Sequence, residues 1–155
     1  MTSTLTAATM TVTVTESINL NGTNQGSTNT LSLASIAEVS KRIVNVPASE
    51  VEVVAMSTAV AAGTFVESTV KYIRLTNLDD TNHITLTFKD EDNTEFRVKV
   101  DAGQSFIFNG DNSGGAVDTM KANGSALSSG LADLYDVTAD ADTASCDIEV
   151  FIASV

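Results

Sequence analysis

The chain has 155 residues and a net charge of −12, from 8 basic and 20 acidic side chains. A hydrophobic content of 43% excludes wholesale disorder, and the length suits one domain with a buried core, alone or with an extension. The acidity argues against nucleic acid or an anionic membrane surface as partner, because both are bound through clustered Lys and Arg side chains.

Cysteine content and hydropathy narrow the class of protein further. Cys146 is the single cysteine, so the sequence predicts neither an intramolecular disulfide nor a cysteine zinc cluster. No stretch approaches the roughly 20 apolar residues that span a bilayer. Residues 1–15 lack the basic and continuous apolar segments of a secretory signal. We therefore expect a chain that is stabilised by packing or by assembly.

Residues 1–37 form an N-terminal arm with a single charged residue, Glu16. Within it, residues 9–15 alternate Thr with Met or Val, which predicts a half-buried strand. Turn residues follow at 21–22 and 25–26. A strand without charges at its edge is open to pairing, so we expect the arm to pair within the fold or with a neighbouring subunit. The candidate assembly residues are Met10, Thr11, Val12, Thr13 and Val14.

Residues 38–155 are predicted to form a β-sandwich domain. The first strand signal of this domain, residues 41–46, runs into Pro47, which ends ladder pairing. Period-two alternation is clearest over residues 70–108, where four strand signals are separated by short polar loops. These signals predict a four-stranded antiparallel meander with one apolar face that must be covered.

The C-terminal third of the chain is less regular. Residues 109–115 read as a flexible loop, and residues 117–137 hint at helical spacing that two glycines weaken. The last strand has Cys146 and Ile148 in one phase, and we expect it to cover the meander. The pattern predicts an all-β protein, an antiparallel β-sandwich of about eight to ten strands with an extended N-terminal arm. A jelly roll is one arrangement that suits this pattern.

An acidic turn is the candidate metal site. Oxygen ligands at short spacing suit a hard cation such as calcium. The EF-hand pattern fails, because the turn lacks the required glycine and is flanked by predicted strands. Asp and Asn are also ordinary hairpin-turn residues, so a solvated acidic rim is the alternative interpretation. The candidate calcium ligands are Asp90, Asp92, Asn93 and Glu95.

The sequence offers no set of groups for catalysis. His83 is the single histidine, and no G-x-S-x-G elbow accompanies it. Cys146 lies in phase with apolar residues, which is typical of a small buried side chain and not of a nucleophile. We therefore expect no enzymatic activity and no cofactor.

Four phrases carry a resemblance to a known group of proteins. They are VAAGTF at residues 60–65, VKYIRLTNLD at 70–79, VDAGQSF at 100–106 and DIEVFI at 147–152. Together they resemble small virion proteins of tailed bacteriophages, especially marine and cyanobacterial ones. The resemblance spans residues 36–153 and includes no catalytic motif.

The resemblance implies a structural protein of the virion, with its own subunits and a major capsid or tail protein as partners. We expect a homo-oligomeric capsid decoration or cement protein, bound through the arm. Two alternatives stay open at this point. One is a tail or fibre-attachment component, and the other is a calcium- or carbohydrate-binding surface module.

Overall fold

A computed structural model describes residues 4–109, 118–119 and 132–155. These residues form 14 strands and one short 3₁₀ helix, Glu67–Thr69. The chain divides into two compact units, Met1–Glu38 with Val155, and Val39–Ser154. The expected boundary between residues 37 and 38 lies one residue from this division.

The first unit contains four strands. They are β1 (Ala8–Thr15), β2 (Asn19–Leu20), β3 (Thr23–Asn24) and β4 (Thr28–Ile36). β1 pairs with β4 and β2 pairs with β3, both antiparallel. The arm therefore doubles back on itself as a hairpin and is not a single extended strand.

The second unit contains ten strands. They are β5 (Glu38–Val46), β6 (Val51–Ser57), β7 (Phe65–Val66), β8 (Val70–Asn77), β9 (Ile84–Asp90), β10 (Glu95–Val100), β11 (Ser105–Asn109), β12 (Asp118–Thr119), β13 (Ala132–Ala141) and β14 (Cys146–Ser154). One sheet has the order β11-β8-β14-β5. The other has the order β10-β9-β13-β6-β7, with β12 paired to β13. The expected all-β sandwich is therefore confirmed.

The wiring of the two sheets is that of a jelly roll. β5 neighbours β14, β6 neighbours β13, β8 neighbours β11, and β9 neighbours β10. These nested pairs are what results when one long hairpin of eight strands is rolled into two layers. The jelly-roll arrangement, one option at the level of sequence, is thus the arrangement that the strand order defines.

The predicted meander over residues 70–108 is wrong, although its strands exist. Only β9 and β10 pair as a hairpin. β8 pairs instead with β11 and β14, because the loops at residues 78–83 and 101–104 cross from one sheet to the other. β14 consequently lies inside a sheet, beside β8, and does not cover a meander. A period of two fixes which side of a strand is apolar, but it does not identify the neighbouring strand.

The residues that hinted at helical spacing are partly described. Residues 132–137 belong to strand β13, in which Leu134 and Val137 are fully buried. The remainder of that segment, and the loop from residue 110 onward, lie outside the described residues except for β12.

A phenylalanine cluster joins the two sheets of the sandwich. Phe88 of β9 is fully buried and stacks on Phe96 of β10, with ring centroids 4.9 Å apart. It also contacts Phe106 and Phe108 of β11 in the opposite sheet, at 4.9 and 5.3 Å. Full burial of a phenylalanine side chain contributes about 1.5–3 kcal/mol, and Phe88 is the fully buried member of the cluster. The cluster therefore holds the two sheets together around Phe88.

Candidate functional site: an N-terminal ribbon

Within the first unit, residues 8–36 form one continuous two-stranded ribbon. The register runs without a shift from Met10 opposite Leu33 to Thr15 opposite Thr28. Beyond these residues, the Glu16 amide donates to the Ser27 carbonyl at 2.9 Å, so the same register continues towards the tip.

The tip of the ribbon is a two-residue turn. Leu20 lies opposite Thr23, and Asn21 and Gly22 between them have φ of 52° and 81°. Positive φ at both central residues defines the type I′ turn, for which Asn-Gly is the preferred sequence. The turn signal recognised at residues 21–22 is therefore a hairpin tip.

The two faces of the ribbon differ in chemistry. Successive side chains point to opposite sides of a strand, so the register assigns each residue to a face. The apolar face carries Met10, Val12, Val14, Leu31 and Leu33. The hydroxyl face carries Thr11, Thr13, Thr15, Thr28, Thr30 and Ser32. The predicted assembly residues of β1 are thus divided between both faces.

The outer edge of β1 presents unpaired backbone groups within the part of the chain that is described. Glu16 and Ser27 form a hydrogen-bonded pair, and hydrogen-bonded and non-bonded pairs alternate along an antiparallel ladder. Val12 and Val14 therefore point their N–H and C=O groups inward, towards β4. Thr11 and Thr13 point theirs outward, away from β4.

The outer edge of β4 is interrupted. The register shifts between Ala8 and Met10, where β4 contains one extra residue relative to β1. Ser35 lies in this bulge with a φ of 63°, a conformation that non-glycine residues seldom adopt. A bulge of this kind twists an edge away from further pairing.

Edge strands of the sandwich carry charges that β1 and β4 lack. β5 carries Lys41 and Arg42, while β10 carries Glu95, Arg97 and Lys99. Charged side chains on an edge discourage pairing with other chains. β11 is uncharged, but it has only five residues. The eight-residue edge of β1 is thus the longest uncharged edge among the described residues that no bulge of its own interrupts.

Residues missed by sequence analysis complete this site. Thr28, Thr30 and Ser32 form the second row of hydroxyl groups, opposite the row on β1. The signal was present, because Leu31 and Leu33 alternate with polar residues and a turn separates them from β1. Predicting the hairpin required both observations, the alternation and the turn, to be combined.

The outer face of the four-stranded sheet carries a polar ladder instead of an open site. Glu149 of β14 contacts Lys41 of β5 at 3.0 Å and Arg74 of β8 at 2.5 Å. Arg74 also donates to Thr76, whose hydroxyl lies 2.8 Å from that of Ser105 on β11. Hydrogen bonds from Arg74, and then from Lys41, hold the pKa of Glu149 below its usual value. This ladder ties all four strands together and is structural.

The candidate calcium residues belong to the β9–β10 hairpin turn. The buried Asp90 carboxylate accepts a hydrogen bond from the Thr94 amide at 2.7 Å. Asn93 has a φ of 60° at the turn and is exposed, and so are Asp92 and Glu95. Glu95 also contacts Arg97 at 3.4 Å. This geometry gives Asp90 the role of closing the turn, as the interpretation of a solvated acidic rim requires, and calcium binding stays the alternative to that interpretation.

His83 and Cys146 lie near acidic groups at one end of the sandwich. His83 Nδ1 is 3.5 Å from an Asp142 carboxylate oxygen. Burial, and then the charge of Asp79, raise the pKa of the Cys146 thiol. A buried thiol with a raised pKa is a poor nucleophile. Backbone amides of Asn82 and Thr81 lower the pKa of Asp79, as in an ordinary turn.

The described residues contain neither a metal-ligand group nor a membrane-spanning helix. Among the described residues, no three His, Cys, Asp or Glu side chains are grouped as metal ligands. In the same residues, no helix is long and apolar enough to cross a membrane. No family model, curated protein or solved structure matches the chain. The described chain consists of an acidic jelly-roll sandwich and a ribbon whose single charged residue is Glu16.

Proposed function

We propose that this chain is a non-enzymatic structural protein of a virion, which decorates or cements the capsid through its N-terminal ribbon. The observation that carries the proposal is the uncharged, uninterrupted edge of β1 in a chain whose sandwich domain is acidic. The resemblance of residues 36–153 to small phage virion proteins points in the same direction.

The ribbon has the properties of an attachment element. Strand addition to a free edge supplies main-chain hydrogen bonds, and alternate side chains supply specificity. Val14, Ile18 and Leu20 are 44%, 48% and 55% exposed, so the ribbon also offers apolar surface towards its tip. On a symmetric particle, many copies of one weak contact act together.

The distribution of charge favours an outer position. Residues 1–37 hold one of the 28 charged residues, and the remaining 27 belong to the sandwich domain. An acidic sandwich would be repelled by packaged nucleic acid, while a ribbon with a single charged residue can approach a protein shell with little electrostatic penalty. The ribbon is therefore the part expected to contact the capsid.

Two experiments test the proposal. Immunogold labelling of purified particles with an antibody to this chain should mark the capsid surface. The full chain should co-sediment with particles from which this protein has been removed. A chain without residues 1–37 should not co-sediment with the same particles. Particles without label contradict the virion role. Equal binding by the truncated chain, shown to be folded by its thermal melt, contradicts attachment through the ribbon.

A further inference from the structure

We infer that two copies of this chain join through the outer edges of their β1 strands, which pair antiparallel into a four-stranded sheet. The inference deepens the proposed function and rests on it, because it names the contact between subunits. Thr11 and Thr13 direct N–H and C=O groups outward, and these groups are what a second strand requires. No charge, proline or glycine interrupts β1.

The sequence of β1 is symmetric about Val12. A two-fold axis at this residue sets apolar side chains against apolar ones and threonine against threonine, as an isologous contact demands. Thr11 and Thr13, whose backbone groups point outward, then lie opposite each other in the two copies. Their N–H and C=O groups can therefore form the hydrogen bonds between the two strands. The opposing pairs are Val12 with Val12, Met10 with Val14, Thr11 with Thr13, and Thr9 with Thr15.

Joining two ribbons would widen the sheet from two strands to four. Sheets of three or more strands with a hydrophobic face are more stable in water than a two-stranded hairpin. The paired ribbons would carry the apolar residues of both copies on one face. Val12 and Val14 would thus lie in the middle of a sheet instead of beside an open edge.

The distribution of charge limits where a second copy of the chain can bind, and it favours β1. Two chains of −12 repel each other wherever their acidic surfaces meet. In β1 this repulsion is absent, because residues 8–15 contain no charge. The described edges of the sandwich at β5 and β10 carry the charges that discourage pairing. β1 is the edge where self-association is least opposed.

A disulfide experiment tests the register in the full-length chain. In the paired sheet, the two Val12 residues form a non-hydrogen-bonded pair with Cα atoms roughly 4.5 Å apart, within the range that a disulfide bridges. Leu31, the partner of Val12 on β4, would lie about three strand spacings, or roughly 14 Å, from its copy. The native Cys146 is 1% exposed and does not compete.

Mild oxidation should therefore cross-link Val12→Cys almost completely and Leu31→Cys hardly at all. The extent of cross-linking is read by mass on non-reducing gels, with reduction as the control. Equal cross-linking of both variants, or none in Val12→Cys, overturns the pairing.

A second pair of variants keeps the test decisive without introduced cysteines. Thr13 and Thr30 face each other, and both point their N–H groups outward, on opposite edges of the ribbon. Lys at either position places the same charge on the same face of the ribbon. Thr13→Lys should shift the solution mass from dimer to monomer across a concentration series, while Thr30→Lys should stay dimeric.

The outcomes separate this inference from the proposed function. A monomeric wild-type chain that still binds particles overturns β1 pairing and leaves the virion role in place. A dimer disrupted by Thr13→Lys, from a chain absent from particles, supports the pairing and overturns the virion role. Dimers that survive both lysine variants overturn the pairing as well.

Discussion

Phe88 and Phe106 lie in opposite sheets of the sandwich with their ring centroids 4.9 Å apart. The chain between them forms β10 and the loop that crosses back to the four-stranded sheet. The contact therefore fastens the two layers close to a crossing between them.

Truncation of this contact should destabilise the sandwich. Phe88→Ala removes a fully buried ring and should lower the free energy of unfolding by about 3–5 kcal/mol. Phe106→Ala should cost less, because that ring is only half-buried. Denaturant titration measures both. Equal losses, or a loss below about 1 kcal/mol for Phe88→Ala, would contradict the central position of Phe88.

Glycine substitutions at the β4 bulge should have different effects on hydrogen-exchange protection at two adjacent positions. Ser35 has a φ of 63°, which costs a non-glycine residue roughly 1–2 kcal/mol. Ser35→Gly should therefore protect the ribbon amides from hydrogen exchange at least as well as wild type. Ala34→Gly, beside it and without that conformation, should weaken protection by roughly 0.5–1 kcal/mol. Losses of the same size at both positions would refute the assigned bulge.

The polar ladder predicts a dependence of stability on pH. The folded state holds the pKa of Glu149 below its unfolded value, so its contribution is present at neutral pH and is lost as the pH falls through the lowered pKa. Glu149→Gln should be less stable than wild type at pH 7, and the difference should shrink in acid. Denaturant titration at a series of pH values measures this difference.

Glu95→Gln is the control for that series. Glu95 contacts Arg97 at 3.4 Å, but both side chains are about half exposed, and such pairs contribute little. This variant should match wild type at every pH. A constant Glu149→Gln difference from neutral to acid pH would contradict an ionic role for Glu149.

Calcium should leave the melting temperature unchanged. The Asp90 carboxylate accepts a hydrogen bond from the Thr94 amide within the hairpin turn, which already explains an acidic residue at this position. A ligand that binds the native state must raise the midpoint. A melt at about 5 mM calcium covers even weak extracellular sites, with magnesium as control. A rise specific to calcium would favour the alternative of a calcium-dependent surface module.

Strand phases were readable from the sequence, whereas strand partners were not. The buried phase of β14, with Cys146 and Ile148, follows from alternation alone. The loop at residues 78–83 looked like a hairpin turn because crossing loops and hairpin turns use the same Asp and Asn residues. Which of the two forms depends on how the sheets pack, a property of the whole chain.

The candidate site, too, was predictable from the sequence only in part. The alternation of residues 9–15 predicted the strand, and its lack of charge predicted an edge open to pairing. The bulge at Ser35 carried no signal, because serine is not a residue that marks positive φ as glycine or asparagine does. The free edge of β1 emerged only from the register, which shows that Thr11 and Thr13 direct their backbone groups away from β4.

Hydrogen exchange of single amides in the full-length chain, followed by NMR across a dilution series, tests the central claim most directly. The outward amides of Thr11 and Thr13 should exchange slowly in concentrated samples and faster on dilution, while that of Thr30 should not change. Exchange at Thr11 and Thr13 that is fast and independent of concentration would contradict the pairing of copies through β1.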